Sequence, residues 1–136
     1  MCLKKDENQT HKVAEKDITC YKLLKSPYST FDVLCPLCYP DISYFLGKES
    51  EPNVPIDVES GDKASSLAEG VIHSYQRFSD LDETTDYYLA KQFGLMNDKV
   101  VVAKCTIPKG TPYWENYDHT EYASLKIVID SLVLVD

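Results

Sequence analysis

Val100–Ile107 reads VVVAKCTI and is the densest run of β-branched residues in the chain. Such side chains pack well on a pleated surface, and a nearly continuous apolar run is typical of a strand buried on both faces. We therefore predict a central strand here. A tight turn follows at Pro108-Lys109-Gly110, where proline fixes φ at the second position and glycine closes the turn. The chain is expected to remain extended through Thr111–Trp114.

Strand signals recur on both sides of this run. Ile18–Leu24 is β-branched and aromatic, and Gly70–Tyr75 has a similar character. Tyr122–Val135 alternates apolar and polar residues before it becomes continuously apolar, which predicts one or two strands with a break at Asp130-Ser131.

The clearest helix is predicted over residues 80–94. Ser79 is a good N-cap, and Asp82 follows three residues later at the position of a capping-box acid. Leu81 and Tyr88 lie at helical spacing, and Gly94 is a suitable end. The fold class is therefore α+β: a single domain with a mostly antiparallel twisted sheet and one main helix.

Composition bounds the domain organisation and the compartment. The chain has 136 residues, 43% of them apolar, with 14 Lys+Arg against 22 Asp+Glu and a net charge of −8. We expect a flexible N-terminus over 1–12 and one domain over 13–136, with an acidic exposed connection at 47–65 and a short edge strand near Ile56 and Val58. No run is apolar enough for a membrane helix, and no secretory signal is visible. We therefore expect a soluble, cytoplasmic protein, and the acidic balance makes nucleic acid an improbable partner.

Five cysteines are present, and without export their thiols should be reduced. Cys20 and Cys105 lie within strand-like runs and are interpreted as small core residues. Cys35-Pro36-Leu37-Cys38 has the spacing of a metal-binding pair, but the sequence lacks a second pair of ligands. A proline-bracketed loop is favoured there, with metal binding as the alternative. Solvated loop residues are likewise favoured over a metal site at Asp118, His119 and Glu121, so no metal is predicted.

An aromatic cluster surrounds a polar loop late in the chain. Its members are Tyr113, Trp114, Tyr117 and Tyr122. Aromatic side chains with polar neighbours are typical of recognition surfaces, because each ring buries a large area at low entropic cost. Core filling explains the same residues equally well, and the two interpretations stay open at this point.

His73 and Tyr75 should share one face of their strand, with Ser74 on the other. A Ser–His catalytic pair is thereby excluded, because the two side chains point apart. If the shared face lines a pocket, His73 could act as a base and Tyr75 as a stacking platform. The alternative is a histidine whose ring is satisfied by a backbone partner.

Three motifs together resemble a group of small bacterial and phage proteins. They are Gly70-Val71-Ile72-His73-Ser74-Tyr75, Cys105-Thr106-Ile107-Pro108-Lys109-Gly110-Thr111-Pro112-Tyr113 and Tyr122-Ala123-Ser124-Leu125-Lys126-Ile127. Met1-Cys2-Leu3 and Val13–Lys22 are also similar to that group. The resemblance implies a bacterial origin and a shared fold, and it assigns no activity.

The order of motifs is also similar to that of the ADP-ribosyltransferase fold. A first strand carries Lys22, a second carries His73 and Tyr75, and after a helix comes Ile107-Pro108-Lys109-Gly110 with Glu121 beyond it. Those enzymes have Arg or His where this chain has Lys22, and their Ser-Thr-Ser and Glu-x-Glu motifs are missing here. The resemblance implies an enzyme that uses NAD, with His73, Tyr75 and Glu121 around a cleft.

Taken together, these features predict a non-enzymatic binding module that presents the aromatic loop at 113–122 to a protein or small molecule, without a cofactor. The alternative is the NAD-using transferase, so whether the chain is an enzyme stays open. Geometry separates the two. An enzyme needs His73, Tyr75 and Glu121 to converge in a pocket of about 300–1,000 Å³. A binding module predicts a flatter patch from which Glu121 points away.

Overall fold

The computed structural model describes residues 3–26, 35–36, 44–93 and 99–134. The strands in these ranges are β1 (Leu3–Lys4), β2 (Lys12–Val13), β3 (Ile18–Ser26), β4 (Cys35–Pro36), β5 (Glu49–Ser50), β6 (Ser66–Leu67), β7 (Ile72–Tyr75), β8 (Lys99–Ile107), β9 (Pro112–Glu115), β10 (Glu121–Ser124) and β11 (Ile127–Leu134). The helices are α1 (Val58–Lys63), α2 (Phe78–Asp82) and α3 (Thr85–Phe93).

One large antiparallel sheet dominates the fold, in the strand order β2-β9-β10-β7-β3-β8-β11-β5. Strand β4 pairs with the end of β3, and β1 and β6 form a separate two-stranded sheet. The predicted α+β class is confirmed. So is a central strand at the valine run, because β8 pairs with β3 from Ile18↔Ile107 to Ser26↔Lys99 and with β11 on its other side.

The two faces of the sheet carry different layers. On one side, which we call the inner face, a buried cluster includes Cys20, Ile72, Cys105 and Ile129. The other side, the helical face, is covered by the three helices. Residues of α2 and α3 pack there against Leu23, Val100 and Val102, and α1 covers a second cluster around Trp114 and Ala123. Alternation along each strand assigns every side chain to one of these faces.

The helical segment is divided in two. Helix α2 begins at Phe78, one residue before the predicted N-cap Ser79, and the Asp80 carboxylate accepts from the backbone N–H of Arg77 at 3.1 Å. The break lies at Thr84, whose hydroxyl donates to the carbonyl of Leu81 and accepts from the backbone N–H of Tyr87. This side chain thus supplies a new N-cap for α3 and explains two helices instead of one. The predicted end at Gly94 lies outside the described residues.

The acidic connection contains a helix where the sequence indicated an edge strand. Val58 begins α1, and the Asp57 carboxylate caps it by accepting from the N–H of Ser60 at 3.3 Å, so the strand predicted there is wrong. Capping by aspartate outweighs the weak strand signal of two β-branched residues. Glu51 and Glu59 are exposed as expected, whereas Gly61 is buried.

Residues 3–12, which lie within the segment expected to be flexible, make defined contacts with the rest of the chain. Leu3 is fully buried and pairs with Leu67 through β1 and β6. The Lys5 ammonium is also buried, and it donates to the carbonyls of Asp6, Gln9 and Asp62. An apolar anchor followed by a lysine that bonds three carbonyls holds this segment on the body of the domain.

The C-terminal run forms two strands, β10 and β11. The break at Asp130-Ser131 takes a milder form than predicted, because the register of β11 against β8 shifts between Ile129 and Ser131 while the strand continues. Such a bulge changes the twist without ending the strand.

Candidate functional site

A groove opens beside the edge strand β2. Its volume is about 900 Å³, and it is lined by Lys12, Val13, Glu15, Lys16, Asp17, Ile18, Thr19, Tyr113 and Tyr122. Two of the four aromatic residues singled out in the sequence therefore share one concave surface. The remaining lining residues come from β2, from the first two residues of β3 and from the segment that connects these strands.

Tyr113 and Tyr122 form the aromatic part of the groove. They lie on neighbouring strands on the inner face, with ring centroids 5.6 Å apart and an interplanar angle of 86°. Burial raises the pKa of both phenols, that of Tyr122 to about 12. Both hydroxyls therefore keep their protons at neutral pH and can donate hydrogen bonds to a bound group.

The segment between β2 and β3, which forms another part of the groove wall, is held in place by the turn after β8. The N–H of Ala14 donates to the carbonyl of Thr111 at 3.0 Å, and the N–H of Gly110 donates to the carbonyl of Ala14 at 2.8 Å. The Asp17 carboxylate accepts from the N–H of Lys109 at 2.9 Å. Gly110 has a φ of 89°, and the N–H of Thr111 donates to the carbonyl of Pro108. Proline thus occupies the first position of this turn, not the second as predicted.

Charge around the groove is mixed, with one ion pair already formed. Lys12 donates to Glu115 at 3.0 Å, and this bond raises the pKa of the Lys12 ammonium. Glu15 and Lys16 are exposed on the connecting segment. The aromatic wall is therefore bordered by groups that can attract or repel a charged ligand.

The indole of Trp114 lies on the other side of the sheet, which corrects its interpretation as a surface contact. Trp114 follows Tyr113 in β9, so its side chain points to the helical face, where it is 1% exposed. Its Nε1–H donates to Asp62 at 3.0 Å, and the same carboxylate is 3.0 Å from Nδ1 of His11. Tyr117 is 65% exposed after the end of β9 and is not among the residues lining the groove.

The three residues proposed for catalysis lie on the helical face. Glu121 is directly opposite Tyr75 in the β7–β10 ladder, and His73 is opposite Ala123. Tyr75 packs against the cluster of α2 and α3, and one carboxylate oxygen of Glu121 accepts from the side-chain amide of Asn116 at 3.1 Å. Burial raises the pKa of the Glu121 carboxyl. These residues are neighbours, but the groove lies on the opposite face, so the two do not form one site.

His73 has the backbone partner that the alternative interpretation expected. Its Nε2 is 3.0 Å from the carbonyl oxygen of Ala68, and its buried Nδ1 has no hydrogen-bond partner among the described residues. Burial lowers the pKa of the imidazole to about 4. The ring is therefore neutral at pH 7, and the Ala68 carbonyl assigns its proton to Nε2.

Lys22 points away from these three side chains and into the inner face. It is 8% exposed, donates to the carbonyl oxygen of His73 and lies 5.5 Å from the centre of the Tyr44 ring. Burial lowers the pKa of its ammonium. The sheet thus separates Lys22 from the side chains of His73, Tyr75 and Glu121, with which the transferase resemblance associated it.

In the described ranges, no group of three or more His, Cys, Asp or Glu side chains is arranged to hold a metal ion. Among these residues His119 has one such neighbour: its Nδ1 is 3.2 Å from the Glu115 carboxylate, and the two residues do not belong to a larger cluster of possible metal ligands in the described ranges. Cys38 lies outside the described residues, as does the side chain of Cys35. None of the helices in the described parts of the chain is both long and apolar enough to cross a bilayer.

Comparisons of the chain with protein-family models, curated proteins and solved structures found no match. Both resemblances noted in the sequence therefore stay predictions.

Proposed function

We propose that this protein is a non-enzymatic binding module whose groove takes a basic, extended segment of a partner protein. The observation that carries the proposal is the Tyr113–Tyr122 pair, which stands in a groove of about 900 Å³. A pocket with aromatic walls and a few polar groups is the usual form of a ligand site. The rings are held by neighbouring strands, so little ordering is needed when a ligand binds.

Charge favours a basic partner. The chain carries a net charge of −8, which attracts cationic segments over distances of about a Debye length. Tyrosine faces also attract Lys and Arg side chains through their quadrupoles. At the groove itself Lys12 is paired with Glu115, and the exposed Glu15 and Lys16 are neighbours. The attraction therefore comes from the overall charge, and Glu15 is the acidic contact that a basic side chain would use at the groove.

The position of the groove favours an extended ligand. Strand β2 is the last strand of the large sheet at this end, and its Val13 is 51% exposed. Edge strands bind extended peptides through main-chain hydrogen bonds, and neighbouring pockets then select side chains.

The test is a binding titration with labelled nine-residue peptides, in which arginine and lysine alternate with aliphatic residues in one peptide and glutamate replaces the basic residues in a second. We expect the basic peptide to bind at about 50 mM salt and the acidic one to bind at least roughly tenfold more weakly, as measured by fluorescence anisotropy. Glu15→Lys should weaken binding of the basic peptide about fivefold. Glu83→Lys, an equal charge reversal at an exposed position on the helical side, is the matched control.

Three outcomes would contradict the proposal. Equal losses in the two charge-reversal variants would show attraction by net charge without a site. NMR shift changes confined to the helical face would place the ligand away from Tyr113 and Tyr122. A rise in melting temperature with millimolar NAD, in the absence of peptide binding, would favour the transferase alternative.

A further inference from the structure

Two buried thiols lie opposite each other at the centre of the sheet. Cys20 of β3 pairs directly with Cys105 of β8, both side chains point to the inner face, and both residues are fully buried. Directly opposed residues in antiparallel strands have Cα atoms about 4.5–5.5 Å apart. This separation lies within the range that a disulfide requires.

Polar groups adjoin this pair in an otherwise apolar layer. Lys22 lies two residues from Cys20 on the same face, and its charge favours ionisation of both thiols. The Cys105 thiol donates to the carbonyl oxygen of Ala103 at 3.5 Å. This bond holds the proton on Cys105, which leaves Cys20 as the thiol that reacts with an oxidant.

Simple core packing explains two small buried residues but not a buried lysine next to them. Lysine is almost never fully buried without a charged partner, because taking its ammonium out of water is costly. Lys22 has a carbonyl and an aromatic ring as neighbours and two thiols on its own face. A cation beside two thiols is the arrangement that activates cysteine.

We propose that Cys20 and Cys105 are a redox site that forms a reversible disulfide when the protein meets hydrogen peroxide. The Cys20 thiolate attacks one peroxide oxygen and becomes a sulfenic acid, and the departing hydroxide takes a proton to form water. The sulfur of Cys105 then loses its proton and attacks the Cys20 sulfur, which releases a second water. Two thiols and one peroxide thus yield one disulfide and two waters.

The site adjoins the groove, which offers a route for a small oxidant. Ile18 lines the groove two residues before Cys20 on the same strand. Tyr122, on the groove wall, packs against the buried cluster that contains Cys20 and Cys105. The redox proposal does not rest on the proposed function, because it requires no partner protein.

The experiment uses the full chain with Cys2, Cys35 and Cys38 replaced by serine, so that only the two inner thiols can react. We expect peroxide to lower the intact mass by about 2 Da and to join tryptic peptides 17–22 and 105–109, with dithiothreitol reversing both changes. The oxidised form should melt roughly 10 °C higher, since the bond closes a long loop. Cys105→Ser is the control and should produce no joined peptide.

Lys22→Met tests whether the charge of Lys22 speeds disulfide formation. Methionine keeps a long unbranched side chain, and disulfide formation at neutral pH should slow about tenfold. The substitution removes the tryptic site at position 22, so the joined peptides become 17–25 and 105–109. An unchanged rate would overturn the assigned role of Lys22. Cys20 and Cys105 thiols that remain free for alkylation after peroxide, in a sample whose unfolded form oxidises, would overturn the redox site itself.

Discussion

Replacing Gly61 with alanine is expected to lower the free energy of unfolding by about 2 kcal/mol. A Cβ at this position of α1 would lie 2.5 Å from Cζ2 and 2.9 Å from Cη2 of Trp114. The indole cannot retreat easily, because it is 1% exposed and its Nε1–H is bonded to Asp62. Alanine in a helix interior is normally worth up to about 1 kcal/mol over glycine. Overpacking costs roughly 1–3 kcal/mol, which outweighs this gain and makes the substitution destabilising.

Urea unfolding monitored by tryptophan fluorescence is the measurement, since Trp114 is the single tryptophan of the chain. Ser60→Ala is the matched control: it adds alanine to the same helix at an exposed position and should change stability by less than about 0.5 kcal/mol. A Gly61→Ala protein as stable as the wild type would mean that α1 shifts away from the indole at little cost.

The strand pattern was predictable because β-branched density and alternation report burial directly. The valine run became β8, and Gly70–Tyr75 and Ile18–Leu24 contain β7 and most of β3. The helix boundaries that the sequence pattern did not predict depend on hydrogen bonds of single side chains. Thr84 divides the helical segment, and Asp57 starts a helix in a stretch that had suggested a strand. Caps of this kind depend on single side chains, which periodicity does not detect.

The face of the sheet to which Trp114 points was predictable from the sequence. Tyr113 and Trp114 are consecutive residues of a predicted extended stretch, so alternation alone places them on opposite faces. Applied to His73-Ser74-Tyr75, the same rule excluded a Ser–His pair, and the structure shows Ser74 on the inner face. In contrast, the bond between Trp114 and Asp62 joins residues far apart in the chain and has no local signal.

Stability is expected to fall by about 2 kcal/mol between pH 7.5 and pH 5 because of His73 alone. Burial lowers the pKa of this imidazole to about 4 in the folded protein, whereas an unfolded histidine has a pKa of about 6.5. Between these values the unfolded chain binds more protons than the folded one, so acid favours unfolding. The loss begins as the pH falls below about 6.5 and ends only as the pH falls through about 4.

Glu121 acts in the opposite direction. Burial raises the pKa of its carboxyl, so the folded state binds its proton more readily and gains stability as the pH falls. A pH profile of the wild type alone therefore mixes the two effects. The difference between the wild type and His73→Gln isolates the histidine, and His119→Gln, which changes an exposed histidine, is the control.

Urea unfolding at both pH values decides the result. His73→Gln should lose about 2 kcal/mol less than the wild type on acidification, whatever its own stability at neutral pH, and His119→Gln should follow the wild type. If His73→Gln loses as much stability on acidification as the wild type, another group takes up the proton on unfolding. The predicted smaller loss in His73→Gln would instead show that the His73 ring is neutral at physiological pH. With one nitrogen bonded to Ala68 and the other buried, such a ring serves the packing of the helical face and offers a substrate no accessible nitrogen that could act as a base.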